Sequence, residues 1–253
     1  MVRVASDQTK DQTGLTGYGA VLFDLDGVLT PTAEVHMRAW AALFTDVLAE
    51  HGVDKAYTDA DYFEHVDGKP RYDGVRALLA SRGITLPEGT PDDPPEAETV
   101  CGLGNRKNKT FSDVLARDGV SPYDGSLRLV RQLADAGVPM AVVSSSKNAP
   151  DVLATSGLAE FFPVVVHGGV AAERGLPGKP APDTYEAAAD DLGVPHQQSV
   201  VVEDATSGVA AGAAGDFGLV VGVDRGVGAD ALTKAGADVV VGDLAELLAP
   251  AGD

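Results

Sequence analysis

The stretch Ala20-Val21-Leu22-Phe23-Asp24-Leu25-Asp26-Gly27-Val28-Leu29-Thr30 decides the fold. Its short apolar run reads as a parallel strand covered on both faces. The run ends in Asp-x-Asp-Gly, so two carboxylates fall at the strand's C-terminal mouth, where open α/β sheets build their sites. Strand alternation turns Asp24 and Asp26 the same way unless the backbone bends after Asp24. Two close carboxylates repel, and they need a cation between them or a shared proton. With Mg²⁺ present, one oxygen can attack phosphorus while the other handles a proton. The alternative at this point is a strand-end turn in which Asp-Gly serves as turn chemistry.

Later segments extend the pattern. Val138-Pro139-Met140-Ala141-Val142-Val143 is a second buried run, ending in Ser144-Ser145-Ser146-Lys147-Asn148. Hydroxyls and free N–H groups between a strand and a helix form a phosphate cradle. Gly178-Lys179-Pro180-Ala181-Pro182 holds a lysine in a proline-flanked loop, and Ser199-Val200-Val201-Val202 leads into Glu203-Asp204. Taken singly, Ser144 could be a helix cap, Lys179 a solvated loop lysine and Glu203-Asp204 an acidic first turn. Together, three strands deliver Asp-x-Asp, Ser and Glu-Asp to one edge.

These residues resemble the haloacid-dehalogenase-like superfamily of aspartyl-nucleophile phosphotransferases, and within it the β-phosphoglucomutase-like branch. Asp24-Leu25-Asp26-Gly27-Val28, Ser144, Lys179 and Glu203-Asp204 match the four superfamily motifs. The branch-level likeness rests on Thr32-Ala33-Glu34-Val35-His36-Met37-Arg38-Ala39-Trp40, Ser146-Lys147-Asn148 and Gly178-Lys179-Pro180-Ala181-Pro182-Asp183, and it covers about residues 19–248. Four motifs in order, each in its strand context, are specific.

The resemblance implies roles. Asp24 is the nucleophile and Asp26 the general acid/base, whose backbone carbonyl also touches the metal. Glu203 and Asp204 complete an oxygen-rich Mg²⁺ site with Asp24. Ser144 and Lys179 bind the transferring phosphoryl oxygens. His36 falls where the branch places a histidine tied to cap closure and to the positioning of Asp26; the other reading is a partly buried helix histidine. Trp40 could contact ligand or simply pack. Val66-Asp67-Gly68-Lys69-Pro70-Arg71 resembles the cap's substrate loop, in which Gly68 lets the backbone approach a sugar. Arg71 would grip a second phosphate through its planar fork, with Ser145, Ser146, Lys147 and Asn148 on the core side. Arg71 could instead be a solvated residue paired with Asp67 or Asp73.

Organisation follows from periodicity. The expected architecture is an α/β, Rossmann-like doubly wound parallel sheet with an inserted all-helical cap. Residues 19–33 and 119–253 form the catalytic core, residues 34–118 the cap. Within the cap, helices are expected at 33–50, around 74–80 and at 104–117, with residues 86–98 an exposed, proline-rich loop. From Asp124 the pattern alternates: helix 125–136, strand 138–143, helix 148–156, strand 163–166, helix 183–192, strand 199–202, helix 205–214, strand 218–223, helix 229–235, strand 238–241 and helix 243–248. Met1 to Thr16 is polar and lacks the pattern of a secretory signal, so residues 1–18 read as a disordered leader.

Composition sets the outer limits. The 253 residues carry a formal net charge of −19, which repels nucleic acid and anionic membrane. Phosphate handling then requires local positive charge, and Arg71, Arg106, Lys107, Lys109, Lys147 and Lys179 are expected near the cleft. No stretch approaches the roughly 20 apolar residues that span a bilayer. The lone Cys101 suits a reducing cytoplasm. The expected partner is a small phosphorylated sugar, acted on by a monomer, with a sugar bisphosphate as a possible activator.

Two features depart from the branch. A lysine usually precedes the cap glycine, where this chain has Asp67, and Lys69 lies on the other side. The segment after Asp26 usually runs Thr-Asp-Thr, and here it is Thr30-Pro31-Thr32. Three functions are compatible: a sugar-phosphate mutase, a phosphatase on a small metabolite, and a catalytically silent binding protein. The last predicts loss of a core carboxylate or of Lys179, and all are present.

Overall fold

A computed structural model describes residues 14–249. Six parallel strands form one sheet: β1 (Ala20–Phe23), β2 (Met140–Ser144), β3 (Val164–His167), β4 (Ser199–Glu203), β5 (Leu219–Val223) and β6 (Val239–Val241), in the spatial order β3-β2-β1-β4-β5-β6. The order reverses beside β1, between its neighbours β2 and β4, which is where doubly wound sheets open a crevice. β1 registers Val21 against Met140 on one side and Val200 on the other. All of its residues are fully buried, so the apolar run encodes a central strand rather than an edge.

Helices cover both faces. The core helices are α5 (Asp124–Asp135), α6 (Ala149–Ser156), α7 (Gly168–Arg174), α8 (Asp183–Leu192), α9 (Thr206–Ala214) and α10 (Ala229–Ala235). One apolar cluster joins Val21, Phe23, Leu129, Leu133, Val142 and Val202; another, across the sheet, joins Leu22, Val143, Tyr185, Ala188 and Val201. Each such aliphatic side chain contributes about 1.5–3 kcal/mol when fully buried.

Between β1 and α5 the chain forms four helices: α1 (Thr32–Glu50), α2 (Asp59–His65), α3 (Arg71–Ser81) and α4 (Val100–Asp118). They gather their own apolar cluster around Trp40, Phe44, Val47, Tyr62, Leu78 and Leu103. Inside it, Arg82 and Asp61 form an ion pair at 2.6 Å. The two chain passages into and out of this helical insert lie side by side, since the Tyr123 N–H donates to the Leu29 carbonyl at 3.0 Å.

The structure departs from the sequence reading in several places. Most of the expected leader lies outside the described residues, but Gly14–Gly17 is an ordered 3₁₀ turn with Leu15 buried in the core. Residues 168–174 form a helix that periodicity did not signal, because it opens on Gly168-Gly169 with only His167 as cap. The expected helix at 243–248 is a single 3₁₀ turn, Leu244–Leu247, capped by Asp243. Among the described residues, no helix is long and apolar enough to cross a membrane.

Candidate active site

The strand ends of β1, β2 and β4 meet the helical insert around a cavity of about 540 Å³, within the range of small-molecule sites. Asp24 leaves β1 with its N–H bonded to the Val202 carbonyl at 2.9 Å. The chain then bends, and Gly27 (φ +89°) turns back so that its N–H meets the Thr30 carbonyl at 2.8 Å. A Cβ on Gly27 would run into the Asp204 carboxylate, so only glycine allows this approach. The bend separates two carboxylates that a straight strand would have set side by side.

Asp24 belongs to a charged pair of its own. Lys179, 3 % exposed, donates from Nζ to Asp24 Oδ1 at 2.6 Å, to Glu203 Oε1 at 2.5 Å and to the Val143 carbonyl at 3.1 Å. Burial works against the lysine's charge, but Asp24 and Glu203 raise its pKa well above the usual range. Glu203 is further held by the Ala205 N–H at 2.8 Å and the Tyr185 hydroxyl at 3.3 Å. Carboxylate oxygens of Asp24, Glu203 and Asp204 lie within 4.8 Å of one another. Burial, then the neighbouring carboxylates, push Asp24 and Asp204 well above the ordinary range, with Lys179 opposing. Three buried acids sharing one ammonium lack positive charge, and an all-oxygen donor set of this kind fits a hard divalent cation.

Asp26 faces a different network. Its Oδ1 accepts from the Thr32 hydroxyl at 2.5 Å and lies 3.4 Å from His36 Nε2, outside hydrogen-bond geometry. Its Oδ2 lies 3.4 Å from the Ser144 hydroxyl. His36 stacks on Phe111 at 4.0 Å, and Lys107 Nζ donates to His36 Nδ1. Lys107 is buried over the Trp40 ring, 4.9 Å from its centre. Burial disfavours the charged form of Asp26, yet His36, Thr32 and Lys107 hold it at about 2. Burial and then Lys107 push His36 below its ordinary value. Lys107 itself is brought down to about 7, by burial first and Arg71 second. The departure at Thr30-Pro31-Thr32 therefore still supplies the hydroxyl that orients Asp26.

On the far wall, Arg71 sends Nη2 to Asn108 Oδ1 at 2.7 Å and Nη1 to Asn105 Oδ1 at 3.3 Å. Asp73, instead of pairing with Arg71, pairs with Arg76. Asn148 Nδ2 donates to the same Asn108 oxygen at 2.7 Å, joining the core loop to the insert. Ser145 donates to the Gly68 carbonyl at 2.7 Å and Ser207 to the Asp67 carbonyl at 3.2 Å. The Ser146 hydroxyl accepts from the Asn148 N–H, and Lys147 lies against Tyr72. Ser144 does not cap α6; its hydroxyl accepts from the Ser146 N–H at 3.1 Å beside Asp26.

The sequence-derived candidates Asp24, Asp26, His36, Trp40, Gly68, Arg71, Ser144, Ser145, Ser146, Lys147, Asn148, Glu203 and Asp204 all line this cavity, and Lys179 is buried beneath it. Trp40 also packs flat on Phe44 at 5.3 Å. Two expected cations do not reach it. Arg106 bonds the Pro95 carbonyl and Lys109 pairs with Asp113, because α4 turns only positions 107 and 108 inward. Sequence reasoning missed Asn105 and Asn108, and also Arg225, which donates to the Gly27 carbonyl at 2.9 Å while lying 4.0 Å above the Tyr123 ring. Neither asparagine nor a lone loop arginine carries a local signal for such a role.

A sequence model of the haloacid dehalogenase-like hydrolases matches residues 18–216. The chain is 52% identical over 241 residues to a β-phosphoglucomutase of Mycobacterium tuberculosis, covering 90% of this chain and 91% of that protein. It is 32% identical over 229 residues to the β-phosphoglucomutase of Bacillus subtilis, covering 88% and 92%. A crystal structure of β-phosphoglucomutase from Clostridium difficile shares the fold, with a TM-score of 0.73 at 24% identity over 91% of this chain and 93% of that one.

Proposed function

The chain belongs to the haloacid dehalogenase-like hydrolase family, and from that premise we propose that it is a β-phosphoglucomutase, converting β-glucose 1-phosphate to glucose 6-phosphate through a phosphoryl group carried on Asp24. The observation that carries this reading is the contrast between Asp24 and Asp26. Two acids two residues apart keep separate partners: Asp24 is bonded to Lys179 beside Glu203 and Asp204, while Asp26 accepts from the Thr32 hydroxyl with His36 3.4 Å away. Such divergence marks separate chemical roles.

Asp24, aligned by Lys179 and backed by Glu203, attacks the phosphorus of a bound phosphate ester. Asp26 is anionic at rest, so it receives a proton from the sugar hydroxyl that attacks the phospho-aspartate. In the opposite direction it returns that proton to the leaving oxygen. The Thr32 hydroxyl holds it for both steps, with His36 Nε2 3.4 Å away. Asp24, Glu203, Asp204 and the Asp26 carbonyl are the groups that would hold Mg²⁺, whose charge offsets the transferring phosphoryl oxygens. Ser144 and Lys179 bind those oxygens. Arg71 supports the mutase reading over simple hydrolysis, because a bisphosphate intermediate presents a second anion and Arg71 offers a planar fork. The same need makes a sugar bisphosphate the expected activator.

The test is direct. Protein, Mg²⁺ and β-glucose 1-phosphate with a trace of glucose 1,6-bisphosphate are incubated, and both products are measured. Glucose 6-phosphate without free phosphate is expected; steady phosphate release would assign the chain to phosphatases instead.

A further inference from the structure

Residues 86–98 carry Pro87, Pro91, Pro94 and Pro95 and form neither helix nor strand, yet they are fastened to the insert along their length. The Val100 and Cys101 N–H groups at the start of α4 donate to the Pro87 and Glu88 carbonyls at 3.0 and 3.1 Å. Arg106 Nε donates to the Pro95 carbonyl at 2.9 Å, and Arg76 of α3 reaches Glu88 with Nη2 at 2.8 Å. The prolines fix φ and so lower the entropy lost in holding such a loop still. Pro91 brings the loop to the wall of the cavity, beside Arg71 and Tyr72.

One side chain joins this loop to Arg71. Asn105 Nδ2 donates to the Pro91 carbonyl at 3.1 Å and to the Asp93 carbonyl at 2.8 Å. Its Oδ1 accepts from Arg71 Nη1 at 3.3 Å and from the Tyr72 hydroxyl at 3.1 Å. Both donors and both acceptor positions of the amide are thus filled, and in one orientation only. A flipped amide would turn NH₂ groups towards a guanidinium that has nothing but donors. The loop is acidic, but what it turns to Asn105 is backbone: the Asp93 carboxylate accepts from the Thr90 and Thr99 hydroxyls at 2.9 and 2.6 Å. Arg71 is therefore held by neutral oxygens, which direct its fork without cancelling its charge. Its other prong takes its bearing from the core, through Asn108 and Asn148.

We propose that Asn105 is a positioning residue for recognition of the far phosphate: the Pro91 and Asp93 carbonyls set its amide, and the amide aims Arg71 at a second anion. The proline-rich loop becomes a specificity element that acts without touching the phosphate. The inference rests on the reading of Arg71 as the grip on that phosphate.

The experiment is a double-mutant cycle on binding, which separates an effect through Arg71 from a general one. Dissociation constants for glucose 1,6-bisphosphate with Mg²⁺ are measured by calorimetry in the Asp24→Asn background, where nothing turns over. Binding is read, so the result does not depend on whether phosphoryl passes to sugar or to water. Asn105→Ala is expected to weaken binding about fivefold or more while Arg71 is present, the worth of a hydrogen bond to a charged group. In the Arg71→Ala background the same change should cost less than about twofold. Asn105→Asp should weaken binding further, because a carboxylate neutralises Arg71. Asp93→Ala, which frees the loop from Thr90 and Thr99, should give a smaller loss with the same dependence on Arg71, and it carries the cycle if Asn105→Ala does not fold. Equal losses with and without Arg71, or no loss in either, would overturn the proposal and leave the Arg71 reading intact. Unchanged bisphosphate affinity in Arg71→Ala alone would overturn the far-phosphate reading, and this inference with it.

Discussion

Asp24 and Asp26 are separated by one residue, yet no hydrogen bond links their networks: Asp24 is tied to Lys179 at 2.6 Å, Asp26 to Thr32 at 2.5 Å. The bend at Leu25 and the Gly27 turn create this division. Each acid therefore keeps its own hydrogen-bond partners, although the charge of Asp26 still raises Asp24.

Asp24→Asn should fold and bind hexose phosphates but lose turnover, because an amide cannot form the phosphoenzyme. Activity below about 1% of the parent is expected, judged against the large factors that nucleophilic residues contribute. Acid-quenched samples with ³²P-labelled substrate should show labelled protein for the parent and none for the variant. Chelation of divalent cations should abolish turnover reversibly.

Asp26→Asn should leave Mg²⁺ affinity nearly unchanged, since the Asp26 carboxylate lies outside the cation triad. Turnover should fall about 10²–10⁴-fold through loss of general acid/base catalysis. Pre-steady-state kinetics at neutral pH check this; an unchanged rate would show Asp26 to be structural.

Arg71→Ala should raise KM for a hexose phosphate by about 10- to 100-fold, the equivalent of one or two charge-assisted hydrogen bonds. Hydrolysis of acetyl phosphate, which lacks a far phosphate, should change little. Arg71→Lys should recover part of the loss, because a point charge cannot copy the fork that Asn105 and Asn108 hold in place.

Lys107 gives a pH-dependent stability effect. Its folded-state value of about 7 lies below the ordinary 10.5. Between those values the unfolded chain holds a proton that the folded chain has released, so this residue's contribution to stability is present above about 10.5 and is lost as pH falls towards 7. Lys107→Met removes that loss. Its stability relative to the parent should be greater at pH 6.5 than at pH 9.5, by on the order of a few kcal/mol. Denaturant melts at the two pH values measure it, and a pH-independent difference would show the ammonium to be better compensated than its burial implies.

Much of this molecule was legible because its strands are uniformly apolar and its helices begin and end on recognisable residues. The helix at Asp183–Leu192 was expected at those bounds, between the proline-rich Lys179 loop and Gly193. The acids and Lys179 could be read because each follows a buried strand or precedes a helix. What escaped depends on tertiary neighbours. Arg106, Lys107 and Lys109 look alike in sequence, and only the facing of α4 selects Lys107 for the cavity. Asn108 gains its place from Arg71 and Asn148, which come from distant segments. The helix at Gly168–Arg174 forms in spite of two glycines at its start, against β3, with Val170 half-buried on the core cluster.

The hydrogen bond from Tyr123 to Leu29 closes the base of the helical insert as a clasp closes a loop of cord. All six strands and their order lie outside that loop, as do Asp24, Asp26, Ser144, Lys179, Glu203 and Asp204. Arg71, Asp67 and Lys107 lie within it. The residues proposed to transfer phosphoryl thus lie on one length of chain, and the insert adds Thr32 and His36 beside Asp26 from the other.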